Sequence, residues 1–161
     1  MEDIVKAVID RLKSREISTF FLSADTDQVL NDQPFLRNKY LHIKNCDSFF
    51  LERFANKQEH DPLVKWLFKS FDYDCRLKLQ CSFSNVLLIP EKLFFYDIDI
   101  FTADNKPCFS SSSRYITYEQ AAVLPIGAVL ILAADQRLTW LAAEQAEKKQ
   151  IMIYKRSGSQ C

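Results

Sequence analysis

The chain has 161 residues, of which 48% are hydrophobic, and its 21 acidic side chains balance its 21 basic ones. This length is enough for one domain that buries a core without metals or disulfides. A net charge of zero gives no whole-chain attraction for nucleic acid or an anionic membrane, so we expect neither as a partner. It does favour association with other proteins. The apolar runs are far shorter than the roughly 20 residues of a membrane span, and the N-terminus is too charged for a signal peptide, which predicts a cytoplasmic protein.

Glycine is scarce, since the chain has only Gly127 and Gly158. Phosphate-binding loops need glycines because backbone N–H groups must approach the anion closely. The scarcity argues against a Rossmann dinucleotide site, a Walker loop and most nucleotide-dependent enzymes. We therefore predict that the protein binds no flavin or other cofactor tightly.

Five cysteines lie at positions 46, 75, 81, 108 and 161, without a C-x-x-C pair. This odd number predicts reduced thiols that pack as small apolar residues in a reducing compartment. The two histidines, His42 and His60, are not spaced to complete a zinc site. We therefore predict no bound metal.

Residues 1–15 have the pattern of a short amphipathic helix. Its apolar stripe consists of Ile4, Val5, Val8, Ile9 and Leu12. Two interpretations are open: the helix packs on its own domain, or it docks in a groove of another protein. Mixed charge on the polar face argues against a helix that lies on a membrane.

Residues 17–156 read as a single α/β domain. Segments 18–24 and 40–44 have strand composition, and the polar stretch 25–38 between them predicts a loop. A helix to about Asn56 follows a cap at Asp47 or Ser48, and the pair Asp61-Pro62 begins another helix.

Residues 75–83 alternate between apolar and polar side chains, as do residues 96–101. For 75–83 this pattern predicts a strand with one solvated face, antiparallel or near the edge of the sheet. Asp97, Asp99 and Asp104 are either magnesium ligands or solvated side chains, of which the second is the commoner case. A turn at 104–107 and a serine loop at 110–113 follow.

The C-terminal part has the clearest pattern. Thr117 and Gln120 form a capping box that opens a short helix, and the apolar run 128–134 predicts a strand covered on both faces. Thr139 caps a helix to about Lys149, and residues 151–154 return as a strand, which makes a right-handed βαβ unit. The fold class is thus α/β with a mixed sheet and flanking helices, or α+β as the alternative. We expect residues 157–161 to be a disordered tail.

Three segments carry a family resemblance: IPEKL (89–93), IFTADNKP (100–107) and ITYEQAAVLPIGAVLILAADQRLTWLAAEQAEKKQIMIYKR (116–156). In order and spacing they resemble the PduM family of propanediol-utilization bacterial microcompartments. Related sequences commonly have Pro, Arg and Gly where this chain has Trp140, Ala143 and Gln150. The resemblance implies a role in assembling the shell and its cargo, with no catalytic residues. The N-terminal helix also looks like the short encapsulation helices by which cargo docks on shell proteins.

Two functions are therefore considered. The first is a non-catalytic microcompartment component that binds shell proteins or encapsulated enzymes and is itself able to form homo-oligomers. The second is a flavin- or cobalamin-handling enzyme or module, whose site would be the loop 135–139 after the buried strand, because ligands in α/β sheets bind at the carboxyl ends of strands. Asp135 would either contact that ligand or help to cap the following helix.

Overall fold

A seven-stranded sheet runs through the computed structural model, which describes residues 1–158. Its strands, in the order in which they lie side by side, are β1 (Thr19–Ser23), β2 (Tyr40–Cys46), β3 (Arg76–Cys81), β4 (Ile98–Phe101), β5 (Pro107–Phe109), β7 (Val129–Leu132) and β9 (Met152–Lys155). All neighbours are parallel except β4 and β5. Two short strands, β6 (Tyr115–Ile116) and β8 (Arg137–Leu138), form a separate parallel pair.

Six α-helices accompany the strands in the described residues. They are α1 (Glu2–Ile17), α2 (Gln33–Arg37), α3 (Ser48–Ala55), α4 (Pro62–Ser70), α5 (Tyr118–Ala122) and α6 (Trp140–Lys148). Three short 3₁₀ helices cover Phe71–Tyr73, Val86–Leu88 and Glu91–Phe95. Helices and a mostly parallel sheet in one chain confirm the α/β class over the α+β alternative.

The helix starts follow from local side-chain chemistry, as the sequence predicts. The carboxylates of Asp47 and Asp61 accept hydrogen bonds from the backbone N–H groups of the first turns of α3 and α4. The capping box is present at α5, where the Thr117 N–H donates to Gln120 Oε1 at 3.0 Å and the Gln120 N–H donates to Thr117 Oγ1. Thr139 caps α6 by accepting from the Ala142 N–H at 3.2 Å. Each cap satisfies backbone donors that the helix itself leaves unpaired.

The direction of the strands decides which face of the sheet is covered. From β1 to β4 each strand is placed beside the previous one in the same direction, so right-handed crossovers put all their connections on one face. That inner face packs into the large core cluster with α3 and α4. The antiparallel step to β5 reverses the chain, so α5 and α6 fall on the opposite, outer face, where a smaller cluster joins Ile116, Leu130 and Ala146. The outer face of β1–β4 receives no such cover.

The C-terminal βαβ unit is present as predicted. All four residues of β7 are buried, and β9 pairs with β7 in parallel after the α6 crossover. Ala142 and Ala146 are the buried residues of α6. Leu141, the largest aliphatic residue of this helix, is 55% exposed, so the small alanines rather than this leucine pack toward the sheet. Trp140 is 80% exposed.

Two expectations were wrong. The stretch 25–38 contains α2, because Pro34 stands in its first turn, where the fixed φ of proline favours a helix. Strand β3 does alternate, with Leu77 and Leu79 buried, but it lies inside the sheet and is parallel to both neighbours. The polar side chains of β3 lie on the outer face of the sheet, which nothing covers. An alternating pattern therefore does not distinguish an antiparallel or edge strand from an interior parallel strand with one uncovered face.

Gln150 adopts a left-handed backbone conformation, with φ of 56°, directly after α6. Glycine is the usual residue at such a helix end because it has no Cβ to clash. Of the predicted tail 157–161, residues 159–161 lie outside the described residues.

Candidate functional site

The apolar stripe of α1 is exposed along its whole length. The helix buries none of its 16 residues. The exposed fractions are 70% for Ile4, 55% for Val5, 51% for Val8, 43% for Ile9 and 57% for Leu12. Five aliphatic side chains in one row on a helix are a contact surface that finds no partner among residues 1–158.

The base of α1 is fixed to the domain through Arg15. Its guanidinium donates to the backbone oxygen of Phe35 at 3.0 Å and to that of Tyr73 at 2.5 Å. These oxygens lie near the ends of α2 and of the 3₁₀ helix Phe71–Tyr73, so one cation satisfies carbonyl groups of two elements. The Lys39 N–H donates to the Arg15 oxygen at 3.0 Å. The helix is therefore held at its last turn while its earlier turns project from the domain.

A cleft of about 590 Å³ separates α1 from α2. It is lined by Asp10, Arg11, Ser14, Gln33, Leu36 and Arg37. These α1 residues lie beside the apolar stripe rather than on it, because residues 10, 11 and 14 point to a different side of a 3.6-residue helix. The contact between α1 and its own domain thus uses polar positions and leaves the stripe open.

The second candidate, the loop 135–139, lies at a cavity of about 620 Å³. The cavity opens at the carboxyl ends of β5 and β7, between the loop after β7 and the serine loop 110–113. Glu91, Phe95, Arg114 and Asp135 are among its lining residues. Asp135 does not cap α6, since β8 separates the two and Thr139 takes that role.

Gln136 joins the two loops of this cavity and is 5% exposed. Its Oε1 accepts from the Ala133 N–H at 2.8 Å, and its Nε2 donates to the backbone oxygens of Ser111 and Ser113. Because these contacts satisfy both ends of the amide, Gln136 shapes the wall and is not free to bind a ligand. The exposed Arg114, Asp135 and Glu91 leave a wall that can hydrogen-bond a small polar molecule, and neither histidine lines it.

The three aspartates considered as magnesium ligands are not brought together. Asp97 is paired with Arg76 at 3.9 Å and Asp104 with Lys106 at 3.4 Å, while Asp99 is exposed on β4. Among residues 1–158 no group of three or more His, Cys, Asp or Glu side chains is arranged to hold a metal ion.

Four of the cysteines are buried free thiols. Burial raises the pKa of Cys81 and of Cys108 to about 12 and that of Cys46 higher still. A thiol is a nucleophile or a metal ligand only when it is deprotonated, so these positions are packing residues at neutral pH. Cys75 belongs with them, since burial also raises its pKa.

Sequence reasoning missed a further surface, the bare outer face of β1–β4, which we term the open sheet face. It comprises Phe21, Tyr40, His42, Lys44, Lys78, Gln80, Asp99 and Phe101. Strand register places Phe21, His42, Lys78 and Asp99 in one row across the four strands. The polar side chains of β3 were the available sign of this uncovered face in the sequence. They could not be interpreted in that way without knowing which strands pair with β3, and the sequence does not reveal this.

Side chains on the open sheet face contact one another. His42 Nε2 donates to Gln80 Oε1 at 2.9 Å, and the His42 and Phe21 rings lie 5.2 Å apart. Lys78 Nζ lies 3.7 Å from the centre of the Phe101 ring. Burial lowers the pKa of His42, outweighing the Gln80 hydrogen bond, and burial likewise lowers the pKa of Lys78. Imidazole and ammonium groups are thus held against aromatic rings on a surface that remains partly open to water.

A comparison with known families covers nearly all of this chain. The family model described as putative propanediol utilisation matches residues 3–152. The chain belongs to this family. The match includes most of α1, all strands up to the first residue of β9, and both candidate sites, and it associates the protein with propanediol utilisation.

Two other comparisons add no relative. No curated protein and no solved structure matches the chain. In addition, none of the helices within residues 1–158 is both long and apolar enough to span a bilayer.

Proposed function

We propose that this protein is a non-catalytic, PduM-like component of a bacterial microcompartment that binds shell proteins through the stripe of α1. The observation that carries the proposal is that all five residues of the stripe are exposed, on a helix whose base is anchored. Burying an aliphatic side chain is worth roughly 1.5 to 3 kcal/mol, so five of them support reversible docking after the cost of association. The family's association with propanediol utilisation supports the microcompartment setting.

Substitution on the two sides of α1 tests this function. Val8→Glu with Leu12→Glu places charge on the stripe, and Lys6→Gln with Lys13→Gln makes the same change in net charge on the polar side of the helix. The stripe variant should lose co-sedimentation with purified shells, because a charged stripe cannot be buried without a partner charge. The control pair should keep it. Equal binding by both variants would overturn the proposal.

Removing residues 1–14 separates docking from folding. The truncation keeps Arg15 and its contacts with Phe35 and Tyr73, so the melting temperature should stay nearly unchanged while shell binding disappears. Residues 1–17 fused to a fluorescent protein should acquire some co-localisation with shells. If the truncated protein unfolds, α1 is a structural element and the docking surface lies elsewhere.

The cavity behind the loop 135–139 favours a second function, the binding of a flavin, a cobalamin or another small molecule of the same pathway. Its volume is in the range of ligand sites, and it lies where ligands of α/β sheets bind. Equilibrium dialysis against flavin mononucleotide and hydroxocobalamin tests it. Saturable binding that Arg114→Ala abolishes would support this function, and the absence of binding at millimolar ligand would remove it.

A further inference from the structure

Half of the sheet lacks the cover that parallel strands normally have. Sheets with parallel strands are covered on both faces in nearly all α/β proteins. Here β7 has a core cluster on each face, whereas β1–β4 pack only on the inner one. On the open sheet face Phe21 is 58% and Tyr40 42% exposed. These two aromatic rings lie toward the β1 edge of a surface that a helix would cover in an ordinary member of this fold class.

Among residues 1–158, α1 is the one α-helix without buried residues, and it does not cover the open sheet face of its own copy. Only Ser18 separates the end of α1 from the start of β1. Arg15 is held at the same place by Phe35 and Tyr73. For α1 to fold back across β1–β4, these hydrogen bonds would have to break and the chain would have to reverse within one residue. The stripe of α1 can therefore be buried only against another molecule.

We infer that α1 of one copy packs across the open sheet face of a second copy, and that the second copy returns the same contact. The dimensions agree, because 16 residues of helix extend about 24 Å and four strands span about 19 Å. Both unpartnered surfaces belong to one chain, so a two-fold exchange covers four surfaces at once and closes without leading to a filament.

The charges of the two surfaces are complementary. The first turn of α1 carries Glu2 and Asp3, and the open sheet face presents Lys44 and Lys78. Neither lysine has a carboxylate within ion-pair distance among residues 1–158: Lys78 donates to Asn105 Oδ1 at 2.9 Å, and Lys44 lies over the Phe21 ring at 4.9 Å. The aliphatic stripe would contact Phe21 and Tyr40, and the carboxylate of Glu2, which borders the stripe at its N-terminal end, would meet these lysines.

The proposed dimer contact does not rest on the shell-docking function, although both would use the apolar stripe of α1. A stripe covered by a second copy is not available to a shell protein, so the two partners compete. The open sheet face takes part in self-association only, which allows the two to be separated by substitution.

Sedimentation velocity of the full-length chain over micromolar to submillimolar concentrations tests the dimer. Wild type should sediment as a dimer, and Leu12→Asp on the stripe or Phe21→Asp on the sheet should each give a monomer. Trp140→Ala, at an exposed aromatic residue of α6, is the matched control and should remain dimeric. Circular dichroism and a thermal melt verify that each variant is folded.

A charge exchange makes the test specific to this pair of surfaces. Lys44→Glu with Lys78→Glu should weaken the dimer at least tenfold, and adding Glu2→Lys should restore part of the lost affinity. A monomeric wild type, a dimer that survives both single substitutions, or a dimer lost with Leu12→Asp but kept with Phe21→Asp would each overturn the inference. Shell co-sedimentation kept by Phe21→Asp and lost by Val8→Glu with Leu12→Glu identifies the docking function independently.

Discussion

Strands β3 and β7 are both interior strands of the sheet, but their hydrophobic patterns differ. Each lies in the interior between two parallel neighbours. In β7 every residue is apolar and buried, whereas β3 alternates buried leucines with Lys78 and Gln80. The difference lies in what covers them, since β7 has a core cluster on both faces and β3 on one. The number of covered faces, rather than strand direction, sets the hydrophobic pattern of a strand.

The largest effect is expected from a charge on the outer face of β7. Leu130→Asp places a carboxylate at a position that is 3% exposed, without a partner, and should cost at least about 4 kcal/mol. Phe21→Asp, on the same face of β1, should cost about 1 kcal/mol or less because that position is open to water. Urea unfolding measures both. A cooperative, soluble Leu130→Asp variant would refute the assignment of β7 as a core strand.

Adjacent positions of β3 allow a comparison of its two faces. Leu79→Ala removes a fully buried side chain and should cost about 2–5 kcal/mol. Lys78→Ala should cost about 1 kcal/mol or less, since it removes only the contact with Phe101 and Asn105 at a partly exposed site. Denaturant midpoints give the two values. With the experiment carried out below the concentration range of the dimer, equal losses would mean that the outer face of β3 is covered within the single protomer.

A gain in stability is expected at the end of α6. Gln150→Gly relieves a left-handed backbone conformation and should raise the free energy of unfolding by about 0.5–1 kcal/mol, after the added freedom of the unfolded chain is counted. Gln150→Ala keeps the Cβ and should bring no gain. Thermal melts of the three proteins provide the measurement, and a stabilising alanine would rule out backbone strain as the cause.

The smallest effect is expected from pH at the open sheet face. Burial holds the pKa of His42 below its usual 6.5, so the unfolded chain takes up its proton before the folded one does. His42 therefore contributes stability above pH 6.5 that is lost as the pH falls through its lowered pKa. His42→Gln should flatten this acid-side loss in unfolding experiments between pH 5 and pH 8. Identical pH dependence in both proteins would show that His42 is not the responsible group.

Features that depend on neighbouring residues could be predicted from the sequence, whereas the pairing of strands could not. The caps at Asp61, Thr117 and Thr139 and the buried run of β7 depend on neighbouring residues, so they could be predicted. The parallel pairing of β3 depends on segments tens of residues away, and its alternation fits any strand with one bare face. The serine loop 110–113 becomes a cavity wall only once β5 pairs with β7, a pairing that the sequence likewise does not reveal.

For α1 the sequence predicted the stripe but left its burial open. The pattern of Ile4, Val8 and Leu12 is the same whether a helix packs on its own domain or on another molecule. The exposure of the stripe, the anchoring of Arg15 and the single-residue connection to β1 bear on this choice, and they depend on the position of residues remote in the sequence.

The order of the strands also governs how the protein can be built on the ribosome. Each of β2, β3 and β4 pairs with the strand before it in the chain, so a growing chain can add one strand at a time. Up to Phe101 no completed strand has to wait for a partner beyond the next strand in the chain. After each addition the newest strand is an open edge until the next one emerges, and unpaired edges recruit other unfinished chains. The longest such interval is the segment 47–75 between β2 and β3, so synthesis that stalls there is the step at which this protein is most prone to co-translational aggregation.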